Sequence, residues 1–443
     1  MARAQIKPLQ VGLLGIGTVG LGTWTVLRRN AEEIARRAGR PIRITWIAER
    51  ALERAREVTR GASDVNLTDD AAKVLAHADI DIVVELIGGI EPARTLILRA
   101  IDNGKHVVTA NKALLARHGN EIFAAAHRKG VMVAFEGAVA GGVPIIKALR
   151  EGLTANRIEW IAGIINGTSN FILSEMRAKG ASFKTVLAEA QARGYAEADP
   201  TFDIEGIDAA HKLTIMSAIA FGVPMQFDKV YTEGISKLTG EDISYAEEMG
   251  YRIKLLGITR RTAAGIELRV HPTLIPAKRL IANVEGVMNA VLVKGDAVGA
   301  TMYYGAGAGA EPTASAVIAD LVDVTRMHTA DPEHRVPHLA FQPDRLSDLP
   351  FLPMGEVETS YYLRMRVEDK PGVLADITRI LADREISIDA MIQKEPSEGE
   401  EQTDIILLTH KCIEKQVVAA IAGIEALATV RGKVVRIRLE ELN

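Results

Sequence analysis

Val11-Gly12-Leu13-Leu14-Gly15-Ile16-Gly17-Thr18-Val19-Gly20 sets a short apolar run against three glycines spaced Gly-x-Gly-x-x-Gly, and the residues after it read as a helix. At a strand-to-helix turn that spacing has a physical use. The first glycine makes the tight turn, the second lets a pyrophosphate approach the backbone, and the third lets helix and strand pack closely. An anion would then rest on free amides at the positive end of the helix. An ordinary glycine-bearing turn meets the same spacing in a chain with 38 glycines, so the surroundings decide. Apolar runs at 42–48, 80–87, 106–109 and 131–135 alternate with helix-like stretches at 18–37, 92–103 and 114–129, and Gly39, Gly104 and Gly130 stand where helices should stop. The first ~140 residues therefore predict an α/β unit, a Rossmann-like doubly wound parallel sheet that binds a dinucleotide.

Outward from the turn, the strand ending at Ala48 is followed by Glu49-Arg50. An acid there binds the ribose of NAD, while an arginine meets the 2′-phosphate of NADP, and either is equally a solvated strand end. Thr109-Ala110-Asn111-Lys112 follows what reads as the fourth strand, which places Lys112 at the ligand-binding edge of the sheet, or simply at a helix start in water. Glu136 to Pro144 follows the fifth, with a carboxylate and carbonyls suited to a hard cation.

Beyond Pro144 the texture changes. Apolar alternation at 266–270 and 290–293 suggests a mixed α+β domain with an open sheet. A glycine-rich loop at 303–313 precedes a helix-like run at 314–324 that would return to the first domain. Five of the 16 prolines fall between His328 and Pro353, which reads as a linker. The tail at 361–367, 374–384, 386–393, 403–409, 414–424 and 434–439 then reads strand, helix, strand, strand, helix, strand, the ferredoxin-like order. The expected domains are 1–143 for the nucleotide, 144–303 for substrate and dimerisation, 304–335 as a return segment, 336–355 as linker and 356–443 as a regulatory unit.

With Lys+Arg 53 against Asp+Glu 57 and no sign-segregated blocks, nothing holds a polyanion or an acidic membrane, so nucleic acid and membrane are excluded as partners. The start MARAQIKPLQ has no signal core and no apolar run reaches a membrane span, so the cytoplasm is the expected location. The single cysteine, Cys412, makes no intrachain disulfide and sits far along the chain from the nucleotide turn, which disfavours a cysteine nucleophile. The histidines, His211 and His271 among them, show no metal spacing.

The segment from Gly194 to Lys212 concentrates five carboxylates (Glu197, Asp199, Asp203, Glu205, Asp208) ahead of one lysine. Asp208 and Lys212 lie four apart at the start of an apolar helix, hence on one face. On a surface that pair is worth little. In a cleft it keeps an ammonium charged and ready to protonate a substrate oxygen. Ile164-Ile165-Asn166-Gly167-Thr168-Ser169-Asn170 reads as a turn and helix start whose amides and hydroxyls suit a small polar substrate, or as a plain Asn-Gly turn.

Together, Gly12 to Gly20, Thr109 to Lys112, Ile164 to Asn170, Glu197 to Lys212, His271-Pro272-Thr273-Leu274-Ile275 and Pro312-Thr313-Ala314-Ser315-Ala316 resemble homoserine dehydrogenase. The tail, with Glu368-Asp369-Lys370-Pro371-Gly372-Val373-Leu374, resembles an ACT domain, a module that often binds amino acids as regulators. The resemblance implies reversible NAD(P)H-dependent reduction of L-aspartate 4-semialdehyde to L-homoserine, on the route to threonine, methionine and isoleucine, with feedback by threonine. It implies Lys212 as proton donor, Asp208 as its partner and a substrate ligand, Lys112 as a second lysine beside substrate and nicotinamide, and Glu197 on the substrate ammonium. Gly167, Thr168, Tyr195 and Asp203 would complete substrate recognition. Gly15, Gly17, Thr18, Val19, Gly20, Glu49, Arg50, Thr109, Lys112, Gly194 and Gly309 would hold the cofactor, NADP first and NAD second. Glu136, Val139, Gly141 and Val143 match the family's site for a cation of the sodium type. Ala306 stands where the family often has a proline, which predicts a looser loop before Gly309. A homodimer or homotetramer is implied. The competing readings are a catalytically silent nucleotide and amino-acid sensor, and an aspartate semialdehyde dehydrogenase.

Overall fold

The computed structural model describes residues 7–394 and 399–443. The first six residues, which carry part of the expectation of no signal core, and residues 395–398, between the expected strands 386–393 and 403–409, lie outside them. The chain divides into two compact units: Met1–Gly167, Asp208–Val230 and Val287–Leu349 form the first, and Thr168–Ile207, Tyr231–Gly286 and Pro350–Asn443 the second.

In the first unit β1 (Leu9–Leu14), β2 (Ile42–Ala48), β3 (Asn66–Thr68), β4 (Ile82–Glu85), β5 (His106–Thr109) and β6 (Val133–Ala134) form a six-stranded sheet in the order β3-β2-β1-β4-β5-β6. Every pairing is parallel. This is the doubly wound order whose connections reverse between β1 and β4, and ligands bind at the carboxyl ends there. The expected runs are all strands, and 80–87 is trimmed to Ile82–Glu85. β3 carries no apolar signal, being three residues of Asn-Leu-Thr, so Thr109 follows the fifth strand and Glu136 the sixth. The stretch 18–37 is two helices, α1 (Thr18–Arg29) and α2 (Ala31–Ala38), broken at Asn30. Gly39 and Gly130 end α2 and the helix Lys112–Lys129 in the left-handed conformation that glycine adopts without steric cost.

The helix Ala310–Met327 packs on α1 as the returning segment was expected to. Ala314, Val317, Ile318 and Leu321 share the core of Leu13, Trp24 and Ile44. A Cβ on Gly22 would lie 2.3 Å from the Ala310 carbonyl, so α1 accepts this helix only because that position has no side chain. Residues 303–306, expected as loop, finish the strand Gly299–Ala306. Nor is the loop after Ala306 loose. The Ala306 carbonyl accepts from the Gly142 amide, and Gly307 lies so close to Asn289 that a Cβ would overlap its side chain.

In the second unit the tail is βαββαβ: strands Glu358–Glu368, Ile388–Gln393, Gln402–Thr409 and Val430–Leu439, with helices Val373–Ala382 and Glu414–Glu425. The four strands are antiparallel, with first and third central, which is the ferredoxin-like arrangement. The strand Ile266–Pro276 buries every residue rather than one face. Its polar positions lie under the tail: Arg269 donates to Glu267 and to Glu440, and the final tail strand pairs in parallel with Thr273 and Leu274. Among the described residues no helix is long and apolar enough to cross a membrane.

Candidate functional site

The glycine turn is built as its spacing demands. Gly15 has φ +91°, and a Cβ there would come 2.9 Å from the Leu86 carbonyl beyond β4. A Cβ on Gly20 would stand 2.2 Å from the Gly15 carbonyl, so α1 can start this close to β1 only with glycine. Gly17 caps α1 with no side-chain bond, and nothing lies within 4 Å of where its Cβ would be. First-turn amides are thus open toward a cleft of ≈ 420 Å³, lined among others by Gly15, Gly17, Glu49, Arg50, Leu86 and Ile87. These features fit a pyrophosphate. Glu49 accepts from the Ile16 amide at 2.9 Å and the Ala51 amide at 3.2 Å, while Arg50 is exposed. Gly309, with φ 122°, caps the helix that packs on α1 in the same unit; Gly194 belongs to the second unit, in an exposed turn.

At the carboxyl end of β5, Thr109 leads to Asn111, whose side chain caps the helix Lys112–Lys129 by accepting from the Leu114 amide. Lys112 is the first residue of that helix. Its Nζ lies 3.0 Å from Oδ1 of Asp208. Asp208 opens the helix Ile207–Phe221, where the helix dipole favours a carboxylate, and residues 208–221 are buried all round. Its Oδ2 accepts from Lys212 Nζ at 2.7 Å and Asn166 Nδ2 at 2.8 Å. Lys212 also donates to the Ile165 carbonyl at 2.7 Å and is 7% exposed, so the solvated-pair reading fails. Burial pushes the Asp208 carboxyl up, but Lys212, then Lys112, together with hydrogen bonds from Lys212 and Asn166, hold it well below the usual carboxylate range. Two ammoniums from different helices thus meet one buried carboxylate at the ligand-binding edge of the sheet.

Thr168, Tyr195, Glu197 and Asp203 belong to the second unit. There the Thr168 hydroxyl donates to the Tyr195 carbonyl at 2.7 Å and Ser169 to the Asp203 carbonyl at 3.0 Å, so the Asn-Gly-Thr-Ser motif and the acidic loop are tied together. Glu197 and Tyr195 are exposed. Gly167 ends a segment of the first unit, pressed against the Val287 carbonyl.

Glu136 does not present a free carboxylate. Its two oxygens accept from the Ile146 and Lys147 amides, and its own amide donates to Asp320. Burial, then the Asp320 carboxylate, raises it to about 7. The turn after it has φ 54° at Ala140 and 46° at Gly141, and Gly141 abuts the Gly307 carbonyl. The Glu136 carboxylate, committed to amides, is not free for a hard cation, which leaves main-chain carbonyls of this turn as the groups that could hold one. His271 is buried and hydrogen bonded to Arg269 and Thr273, and His211 stacks on Phe227. Cys412 lies in the tail core.

The sequence reading passed over Glu85 and the side-chain amides of Asn111 and Asn166. For Glu85 the signal was present, a lone carboxylate closing the aliphatic strand Ile82-Val83-Val84. For Asn166 there was none, because its partner Asp208 is 42 residues away, while Asn111 offered only the local signal of a helix N-cap three residues before Leu114.

Residues 15–136 match the family described as homoserine dehydrogenase, NAD binding domain, residues 144–322 match homoserine dehydrogenase, and residues 361–428 match the ACT domain. A homoserine dehydrogenase of Pseudomonas aeruginosa is 65% identical over 438 residues, covering 99% of this chain and 100% of that protein. One of Neisseria gonorrhoeae is 60% identical with the same coverage. The crystal structure of a homoserine dehydrogenase from Thiobacillus denitrificans aligns with TM-score 0.94 at 73% identity, covering 99% of each chain. With its nucleotide turn, its lysine pair and its tail all within those matches, the chain belongs to the homoserine dehydrogenase family, oxidoreductases that act on a CH–OH group with NAD(P).

Proposed function

We propose that Lys212 protonates the aldehyde oxygen when L-aspartate 4-semialdehyde is reduced to L-homoserine, with Asp208 holding it charged and Lys112 adding a second positive charge. The observation that carries this is the buried Asp208 carboxylate between the two ammoniums, 2.7 Å and 3.0 Å away. A nicotinamide cofactor, when bound at the glycine turn, would supply the hydride that the aldehyde carbon takes up. As the carbonyl electrons move onto oxygen, the Lys212 ammonium stabilises that charge and gives it a proton, which the amine recovers from water. The Ile165 carbonyl and Asp208 fix the direction of Nζ, so little reorganisation is left to the moment of reaction.

Glu197 is the proposed contact to the substrate ammonium, with Gly167, Thr168, Tyr195, Asp203 and Asp208 completing recognition. Gly15, Gly17, Thr18, Val19, Gly20, Thr109, Gly194 and Gly309 are the proposed cofactor contacts. NADP is the proposed coenzyme, with NAD also accepted: both Glu49 oxygens are engaged by amides, which leaves the exposed Arg50 for a 2′-phosphate. A monovalent cation, Na⁺, would brace the turn through carbonyls of residues 136–143, Val139, Gly141 and Val143 among them, with Glu136 contributing main chain only. The tail is the proposed threonine sensor, in a cytoplasmic homo-oligomer. Threonine added to the full chain should depress initial rates along a saturable curve; rates that stay flat to millimolar threonine would remove that role.

The central test is Lys212→Ala. Turnover should fall on the order of 10²–10⁴-fold while NADPH affinity, read by fluorescence titration, stays within about threefold. Near-normal turnover would overturn the assignment.

A further inference from the structure

We propose that Glu85 is a positioning residue for Lys112: its carboxylate joins the two loops at the carboxyl ends of β4 and β5 and so fixes where the Lys112 ammonium stands. This rests on the reading of Lys112 as part of the catalytic group.

Glu85 is the last residue of β4 and fully buried, with 0% exposure. A carboxylate in that place must be satisfied by donors or it would be strongly destabilising. It takes three. Oε2 accepts from the Thr109 hydroxyl at 2.7 Å, and Oε1 accepts from the Ile87 and Gly88 amides at 2.8 Å and 3.0 Å. The network continues from there. The Thr109 hydroxyl oxygen accepts from the Asn111 amide at 3.0 Å, and Asn111 Nδ2 donates to the Gly89 carbonyl at 2.7 Å. The circuit Glu85, Thr109, Asn111, Gly89 closes on itself through residues 86–88, joining the loop after β4 to the loop after β5. Gly88 and Gly89 both have positive φ, 79° and 72°, which lets consecutive amides turn toward one carboxylate.

The output of the circuit is Lys112. Asn111 is at once a member of the ring and the N-cap of the helix that Lys112 begins, since its Oδ1 accepts from the Leu114 amide. A shift of Thr109 or Asn111 therefore moves the first turn of that helix, and with it an ammonium that now lies 3.0 Å from Asp208. Glu85 reaches neither lysine through its own bonds; it acts through the loop that carries Lys112. Misplacement of a catalytic group by about 1 Å can cost roughly 10²-fold in rate.

The test is a double-mutant cycle on the full chain. Glu85→Leu keeps the volume and removes all three acceptor contacts; Glu85→Gln keeps acceptance from the two amides and reverses only the Thr109 bond, so it serves if the leucine variant fails to fold. kcat should fall roughly ten- to a hundredfold for Glu85→Leu and about threefold to tenfold for Glu85→Gln. In a Lys112→Ala background the same substitutions should lower kcat no further, because residues acting through one group are non-additive. Additive losses would overturn the proposal, since Glu85 would then act elsewhere. Full activity of either Glu85 variant, with Lys112→Ala impaired, would overturn it while leaving Lys112 in place. Full activity of Lys112→Ala would instead overturn the reading of Lys112, and the proposal with it.

Discussion

Replacing Asp208 by asparagine keeps the shape of the side chain and removes the one negative charge between Lys112 and Lys212. At an effective dielectric near 20, a unit charge pair 2.7 Å apart interacts by roughly 6 kcal/mol. Much of that is offset by the cost of burying both ions, so loss of the partner leaves a net penalty of about 3–5 kcal/mol. Lys112 is about one-third exposed to water and contributes less than its 3.0 Å separation suggests. The buried ammonium can relieve part of the penalty by giving up its proton, so in Asp208→Asn a smaller share of the proton donor is charged at any given pH. Aldehyde reduction should then drop on the order of 10²–10⁴-fold. The rate should also fall away at lower pH than in the parent, because reduction needs the charged amine and nothing now favours it. Initial rates with NADPH and L-aspartate 4-semialdehyde from pH 6 to pH 10, with cofactor affinity measured in parallel, decide the matter. An asparagine variant within threefold of parent turnover, with an unmoved pH profile, would refute the electrostatic reasoning.

Two further expectations follow from other parts of the molecule. Gly20→Ala puts a Cβ 2.2 Å from the Gly15 carbonyl, a contact that only displacement of α1 can relieve, so NADPH affinity should fall at least about tenfold by fluorescence titration; affinity within twofold of the parent would refute the role given to the turn. In the tail, burial would raise the Glu440 carboxyl, but Arg269 and Arg260 hold it at about 2. A depressed carboxylate contributes stability that is present above its unfolded value near 4.5 and is lost as pH falls toward 2. Urea midpoints should therefore decline over that window, and Glu440→Gln should cost on the order of 3 kcal/mol at pH 7 and flatten the decline; a variant with the parent's acid sensitivity would show that this pair does not contribute to it.

The parallel sheet was legible because its central strands, β1 and β4, are buried on nearly every position and read as aliphatic runs, and helix-length stretches separate the strands. β3 was not, because Asn66-Leu67-Thr68 offers no periodicity and is a strand only through its pairing with Trp46, Ile47 and Ala48. The strand Ile266–Pro276 misled in the opposite sense. Its alternation of Leu268, Val270 and Leu274 with Glu267, Arg269, His271 and Thr273 is the pattern of a half-solvated strand. The polar face is instead buried and satisfied by Glu440, a partner 171 residues away from Arg269. Alternation reports chemical character, and burial follows only when nothing else covers the polar side. The site divides in the same way. Asp208 and Lys212 were visible as an i, i+4 pair on one helix, but that Lys112 shares the carboxylate depends on how two helices far apart in sequence are placed, and so does the amide from Asn166.

The sharing of that carboxylate bears on what the site can do. Two ammoniums facing one substrate oxygen without Asp208 would repel, which favours loss of a proton from the more buried one. With Asp208 between them both remain charged, and the three groups together carry one net positive charge, two of them buried. A carbonyl oxygen is neutral in the ground state and acquires one negative charge only as hydride arrives. The attraction is therefore far stronger in the transition state than in the bound substrate, which is the condition for an interaction to raise turnover rather than affinity. A site with the carboxylate removed fails for want of a charged donor, and one with Lys112 removed becomes neutral overall and loses the same selectivity for the transition state. On this account Asp208 belongs to the charge balance of the reaction as well as to the fold.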